Sequence, residues 1–221
     1  MKRRVLSHYL PEHPPLSWQF VSGAAGKPAV APPFPHCFNL SHSDHCVAIA
    51  IADAEVGVDI ERLRPMPSAP SLAQWVLHAD ERRWYERHGH DIETFFRLWT
   101  LKEALLKAAG TGFSYPANQV GWQGLDEPWA TARFAGQRWR GFSRRIGQSA
   151  VLAVALPQSC SIAAARLLHV ANGLVGARLF DTSEPLCKLL ETAEPLCNTR
   201  TAAPEAHAAS AIRLAALDHR T

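Results

Sequence analysis

Hydrophobic and polar positions along this chain of 221 residues follow two periods. From Val56 to Glu61, the apolar Val56, Val58 and Ile60 alternate with Gly57, Asp59 and Glu61. A period of two is that of a strand, which places the apolar side chains against a core and both carboxylates on the other face, beside a glycine that clears space. Just before it, residues 46–52 are apolar throughout, the pattern of a strand buried on both faces, and residues 53–55 turn the two into a predicted hairpin. Phe95, Phe96, Trp99, Leu105, Leu106 and Ala109 recur near helical spacing, which predicts a helix over 93–109 ended by Gly110 and Gly112.

The rest of the pattern is shorter. Residues 4–10 predict a helix stopping before Pro11, and 16–21 a strand. A loop follows that is punctuated by Gly26-Lys27-Pro28. Pro65, Pro67 and Pro70 mark an exit loop, with Ser71 as a helix cap, before helices over 72–78 and 80–88. Residues 139–142 and 151–156 read as closing strands, so the order of elements predicts an α+β fold rather than repeated βαβ units. Trp75, Trp84 and Trp99 read as core or half-buried aromatics. From residue 158 the character changes: Ser183-Glu-Pro-Leu-Cys187 nearly repeats as Ala193-Glu-Pro-Leu-Cys197, followed by an alanine-rich run. Residues 158–221 are therefore expected to be an appendage, partly helical or disordered.

Charge narrows the range of partners. Residues 1–64, 65–115 and 158–221 each balance six basic against six acidic groups, so the net +3 comes from five arginines against Asp126 and Glu127 in 116–157. Such a local bias suits an acidic partner patch better than a nucleic-acid footprint. Five cysteines without framework spacing point to a reducing compartment. No apolar run is long enough to span a bilayer, and His8, Pro11 and Glu12 interrupt any leader-like start. The expectation is a cytoplasmic protein.

Asp59 and Glu61, side by side on one strand face, repel unless a cation or a basic group offsets them. Glu103 and Lys107, four apart, share one side of the predicted helix. Three carboxylates and a lysine converging on one surface suit a hard divalent cation with a phosphate beside it. In Phe38-Asn-Leu-Ser-His-Ser43, Ser41 and His42 could donate to a phosphate. A competing zinc reading rests on His36, Cys37, His42, His45 and Cys46, whose spacing is not that of paired structural zinc ligands.

Together, Gly26-Lys-Pro28, Phe38–Ser43, Val56–Glu61 and Trp99-Thr-Leu-Lys-Glu-Ala-Leu-Leu-Lys-Ala-Ala-Gly110 resemble the 4′-phosphopantetheinyl transferase superfamily, specifically its surfactin-synthetase-type branch, over roughly residues 4–157. The resemblance implies a pseudo-twofold α+β fold with coenzyme A between two similar halves. It implies transfer of the phosphopantetheine arm to a serine of an acyl or peptidyl carrier protein, releasing adenosine 3′,5′-bisphosphate. By residue match, Asp59, Glu61 and Glu103 would hold Mg²⁺ (or Mn²⁺), and Glu103 would also accept the serine proton. Lys107 would sit against the coenzyme A phosphate and stabilise the moving charge, Lys27, Ser41 and His42 would grip coenzyme A phosphates, and Lys102 would assist.

The first motif arrives early. Residues 1–35 are therefore expected to be a remnant of the amino-terminal half with its coenzyme A loop, and 36–157 the Mg²⁺-binding catalytic half. The expected protein is a monomer that partners coenzyme A and a carrier protein, and neither nucleic acid nor membrane. Arg138, Arg140, Arg144 and Arg145 are the expected carrier-docking residues. The rival readings are a shortened relative that binds coenzyme A or carrier protein without turnover, and a zinc-binding interaction module.

Overall fold

The computed structural model describes residues 2–161 except Ala24, Ala25 and His45, together with strand segments 166–171 and 179–180. Its described elements stack as helix, sheet, sheet, helix. The first sheet has strand order β10-β9-β4-β3, built from β3 (Cys37–Ser43), β4 (Cys46–Ala52), β9 (Arg166–Ala171) and β10 (Leu179–Phe180). The second has order β5-β8-β7-β6, built from β5 (Gly57–Arg62), β6 (Ala130–Phe134), β7 (Gln137–Ile146) and β8 (Ala150–Pro157). A small ribbon of β1 (Phe20–Ser22) and β2 (Pro28–Val30) precedes them. The fold is α+β, as the order of elements predicts.

β4 shows why the layers form. Val47, Ile49 and Ile51 on one face pack with Val5 and Leu6 of α1 (Lys2–Tyr9) and with Trp18. Ala48, Ala50 and Ala52 on the other face meet Val58 and Ile60 of β5 and Val154 and Leu156 of β8. Alternating large and small side chains thus give β4 a helix-facing side and a side that admits a second sheet. Beyond that sheet, α4 (Ile92–Ala109) fills the opposite core with Phe95, Leu98, Leu101 and Leu105 against Val151, Ala153 and Ala155. Asp91 caps α4, accepting from Thr94 N at 3.0 Å, and Gly110 ends it in the left-handed conformation at φ 69°.

Four features differ from the sequence expectation. β4 and β5 form no hairpin, because both edges of β4 are taken, by β3 and β9, and β5 pairs with β8 instead. The hairpin lies one strand earlier, at β3–β4, where Asp44 turns at φ 49°. Trp75, on α2 (Ala69–Val76), is 76% exposed, since that helix buries Ala69 and Ala73 instead. α2 begins at Ala69 rather than at a Ser71 cap, and its N-cap Ser68 makes no side-chain bond. Within the expected appendage, Arg166–Ala171 pairs antiparallel with β4. The repeat at 183–197 lies outside the described residues.

Candidate active site

The site forms where β3 and β5, the edge strands of the two sheets, meet α4. β5 places Gly57, Asp59 and Glu61 on the side away from the inter-sheet core that holds Val58 and Ile60. The space cleared by Gly57 is filled by the helix: a Cβ there would lie 1.9 Å from Ala104 O and 2.5 Å from Ala108 N. Backbone-to-backbone approach brings the α4 side chains Glu103 and Lys107 beside Asp59. Lys107 Nζ donates to Asp59 Oδ1 at 2.6 Å and to Ser41 Oγ at 3.0 Å. Ser41 Oγ in turn donates to Asp59 Oδ1 at 2.7 Å.

Asp59 is 4% exposed, and its second oxygen, Oδ2, is buried without a hydrogen-bond partner. Burial pushes its carboxyl up, while Lys107 and Ser41 pull it back. Glu103 is pushed up to about 7, first by burial and then by repulsion from Asp59 and Glu61, against the attraction of Lys107. Glu61 is more open, accepting at Oε2 from Ser43 Oγ at 2.9 Å and from Arg64 Nη1 at 3.1 Å.

The donor set suits a hard divalent cation: carboxylate oxygens only, mutual repulsion that a cation would relieve, and the orphaned Asp59 Oδ2. Among the described residues, though, no three Asp, Glu, His or Cys side chains close into a ligand cluster, and Lys107 supplies the counter-charge to Asp59. Nor do His36, Cys37, His42 and Cys46 of the zinc reading close into one, and His36 Nδ1 contacts Asp53 Oδ1 at 2.5 Å. His45 lies outside the described residues.

Of the remaining candidates, Lys27 stands next to the cluster, bonded to Glu55 at 2.7 Å and to the Ala108 carbonyl at 3.0 Å near the end of α4. His42 is exposed and alternates with Ser41, so it occupies the opposite face of β3. Lys102 does not join the cluster. It is 2% exposed, paired with Glu81 at 2.7 Å, and donates to the Ala117 carbonyl at 2.9 Å and to that of Val120. Burial pushes Glu81 up and Lys102 down, with mutual attraction opposing both. Glu81, on α3 (Ala79–Arg87), also accepts from His78 N and Trp122 N, both at 2.8 Å. This pair ties α3 and the loop before β6 to α4.

Asn39, Ser43 and Arg64 escaped the sequence reading. Asn39 Oδ1 accepts from Val58 N at 2.8 Å, and Ser43 Oγ from Arg62 N at 3.2 Å. The signal was available as an Asn-x-Ser-x-Ser alternation in β3.

Residues 55–155 match the model of the 4′-phosphopantetheinyl transferase superfamily. The 4′-phosphopantetheinyl transferase AcpT of Escherichia coli K12 is 40% identical over 111 residues, 49% of this chain and 55% of that protein. The 4′-phosphopantetheinyl transferase gsp of Aneurinibacillus migulanus is 39% identical over 95 residues, 42% of this chain and 38% of that protein. The 4′-phosphopantetheinyl transferase psf-1 of Bacillus pumilus is 39% identical over 98 residues, 43% and 41% of the two chains. The matches thus span about half the length of these relatives or less. The matched stretch holds Asp59, Glu61, Glu103 and Lys107 and the packing of β5 on α4, so the candidate site lies within the part of the chain that is similar to the 4′-phosphopantetheinyl transferase superfamily.

Proposed function

We propose that this chain transfers the 4′-phosphopantetheine arm of coenzyme A to a serine of an acyl or peptidyl carrier protein, with Mg²⁺ or Mn²⁺, releasing adenosine 3′,5′-bisphosphate. The observation that carries the reading is the grouping of Asp59, Glu103 and Lys107 at one strand–helix contact, with Asp59 Oδ2 buried and unpaired. Displacement at a phosphate asks for positioning and charge neutralisation rather than a covalent nucleophile. The gsp and psf-1 relatives support the surfactin-synthetase-type branch.

Asp59, Glu61 and Glu103 would hold the divalent cation. When bound, it would neutralise the diphosphate and polarise the phosphorus under attack. Glu103, lifted to about 7 without the cation by burial and its neighbouring carboxylates, would also accept the proton of the carrier serine hydroxyl, directly or through water. Lys107, which holds Asp59 Oδ1 at 2.6 Å, would turn its ammonium to the phosphate oxygens of the bound diphosphate. Lys27, Ser41 and His42 are the contacts for coenzyme A phosphates; Lys27 and Ser41 must first exchange Glu55 and Asp59 for ligand.

Acidic carrier surface would meet the arginines of the β6–β7 hairpin. Arg138 is exposed and stands across from the exposed Arg133. Arg140 lies 5.5 Å from the Trp129 ring, and Arg145 pairs with Glu93 at 2.9 Å. No helix among the described residues is long and apolar enough to cross a membrane. The described cysteines Cys37, Cys46 and Cys160 are free thiols, which supports action in the cytoplasm; we assign a monomer there.

The test is to incubate the protein with coenzyme A, Mg²⁺ and an apo carrier protein and to weigh the carrier by intact-protein mass spectrometry. One added phosphopantetheine, lost with Glu103→Gln and with Asp59→Ala, is expected. A folded protein that binds coenzyme A yet modifies no carrier would instead be a binding protein without turnover.

A further inference from the structure

Both facing strands are edges, and an edge strand leaves amides unpaired. On β5 those of Val58, Ile60 and Arg62 are met by side chains of β3: Asn39 Oδ1 at 2.8 Å, Ser41 Oγ at 3.4 Å and Ser43 Oγ at 3.2 Å. Three side chains two residues apart thus stand in for the carbonyls of a neighbouring strand. The residue type at each rung tracks the neighbour on β5. An amide oxygen only accepts, and Asn39 stands at the rung beside Gly57, where no acid is present. A hydroxyl that accepts from an amide still has its own proton to give, and Ser41 gives it to Asp59 Oδ1, Ser43 to Glu61 Oε2.

We propose that Ser43 is a positioning residue for Glu61: it joins the two sheets at Arg62 N and fixes the Glu61 carboxylate through one oxygen. This rests on the reading of Glu61 as a ligand of the divalent cation. Loss of an outer hydrogen bond to a ligating carboxylate costs roughly 10- to 100-fold in metal affinity. Asn39 is the internal control, since it joins the same strands and touches no carboxylate.

The experiment titrates Mn²⁺ into the whole metal-free chain, read by electron paramagnetic resonance of free Mn²⁺, without coenzyme A or carrier. Ser43→Ala is expected to raise the Mn²⁺ dissociation constant about tenfold, and Ser43→Thr, which keeps the hydroxyl, to stay within about twofold of the parent. Asn39→Ala is expected to lower the melting temperature yet leave Mn²⁺ binding within about twofold. Should Ser43→Ala fail to fold, Ser43→Cys, a weaker donor, is read in its place. Equal shifts from Asn39→Ala and Ser43→Ala would make the role of Ser43 merely structural and overturn the proposal. A parent protein that binds Mn²⁺ while Ser43→Ala binds equally well would overturn this inference alone. A parent that binds no Mn²⁺ would remove the cation reading and this inference with it.

Discussion

Gly57→Ala is the sharpest perturbation of the site, because it adds one methyl group where strand and helix backbones touch. The new Cβ would stand 1.9 Å from Ala104 O and 2.5 Å from Ala108 N, whereas ordinary contact begins at 3.4 Å. β5 and α4 must therefore part by about 1.5 Å, and neither obstacle is a flexible side-chain end. Overpacking of this kind costs about 1–3 kcal/mol, and rigid backbone on both sides puts Gly57 at about 3. Alanine would recover no more than about 0.4–1 kcal/mol through the unfolded chain, so the clash wins. At about 2–4 °C per kcal/mol for a chain of this length, the net loss of about 2–2.6 kcal/mol should lower the melting temperature by roughly 4–10 °C. The same parting moves Glu103 and Lys107 away from Asp59, and a misplacement of about 1 Å can cost 100-fold in turnover. Calorimetry together with the carrier-mass assay at 15 °C reads both effects. A melting temperature within about 1 °C of the parent, with full turnover, would refute the packing of β5 on α4.

The remaining expectations concern charge. In the metal-free protein Glu103 sits at about 7 against 4.5 for an ordinary glutamate, so between those values the folded state holds a proton that the unfolded chain has lost. Stability should fall as pH rises through that window, by up to about 3 kcal/mol at 1.36 kcal/mol per unit. Glu103→Gln should flatten the melting-temperature profile between pH 4.5 and 7, and a profile identical to the parent would sink the assignment. Lys102→Met leaves Glu81 buried without its cation and should cost about 3–5 kcal/mol. At a temperature where the variant remains folded, its coenzyme A KM should match the parent; a large rise would return Lys102 to the ligand site. Arg138→Glu should raise the carrier KM several-fold at low salt and less at 0.5 M salt, where screening takes over. A KM unchanged at low salt would remove the hairpin from the docking surface.

What the sequence makes legible is whatever a single element decides by its own period. The alternation of Val56, Val58 and Ile60 with Gly57, Asp59 and Glu61 places each residue on the face where the structure has it, and Gly110 ends α4 at φ 69°. What it hides depends on which elements become neighbours. Residues 46–62 look like a hairpin because the two apolar strands are adjacent in sequence. The competing partner of β4, Arg166–Ala171, lies more than a hundred residues away, in a stretch whose composition suggests an appendage. Lys102 looks like a companion of Glu103 until its partner Glu81, twenty-one residues earlier, is seen across the helix pair.

The same distinction governs the site. Gly57 beside two acids reads as space for a ligand, yet the space admits α4, and only through that approach do Glu103 and Lys107 meet Asp59. The carboxylates are thus assembled from two directions. The α4 helix brings a lysine that neutralises Asp59, and β3 brings serines that hold one oxygen of each β5 acid. Because Ser41 and Lys107 bond the same oxygen, a cation that displaced Lys107 would leave the Ser41 bond to orient Asp59, while Oδ2 gained the partner it lacks. On the proposed reading, the unmet acceptor and the replaceable counter-ion are what would let this site take up a cation. The candidate site therefore lies at the seam between the sheets, where no one segment of sequence contains it.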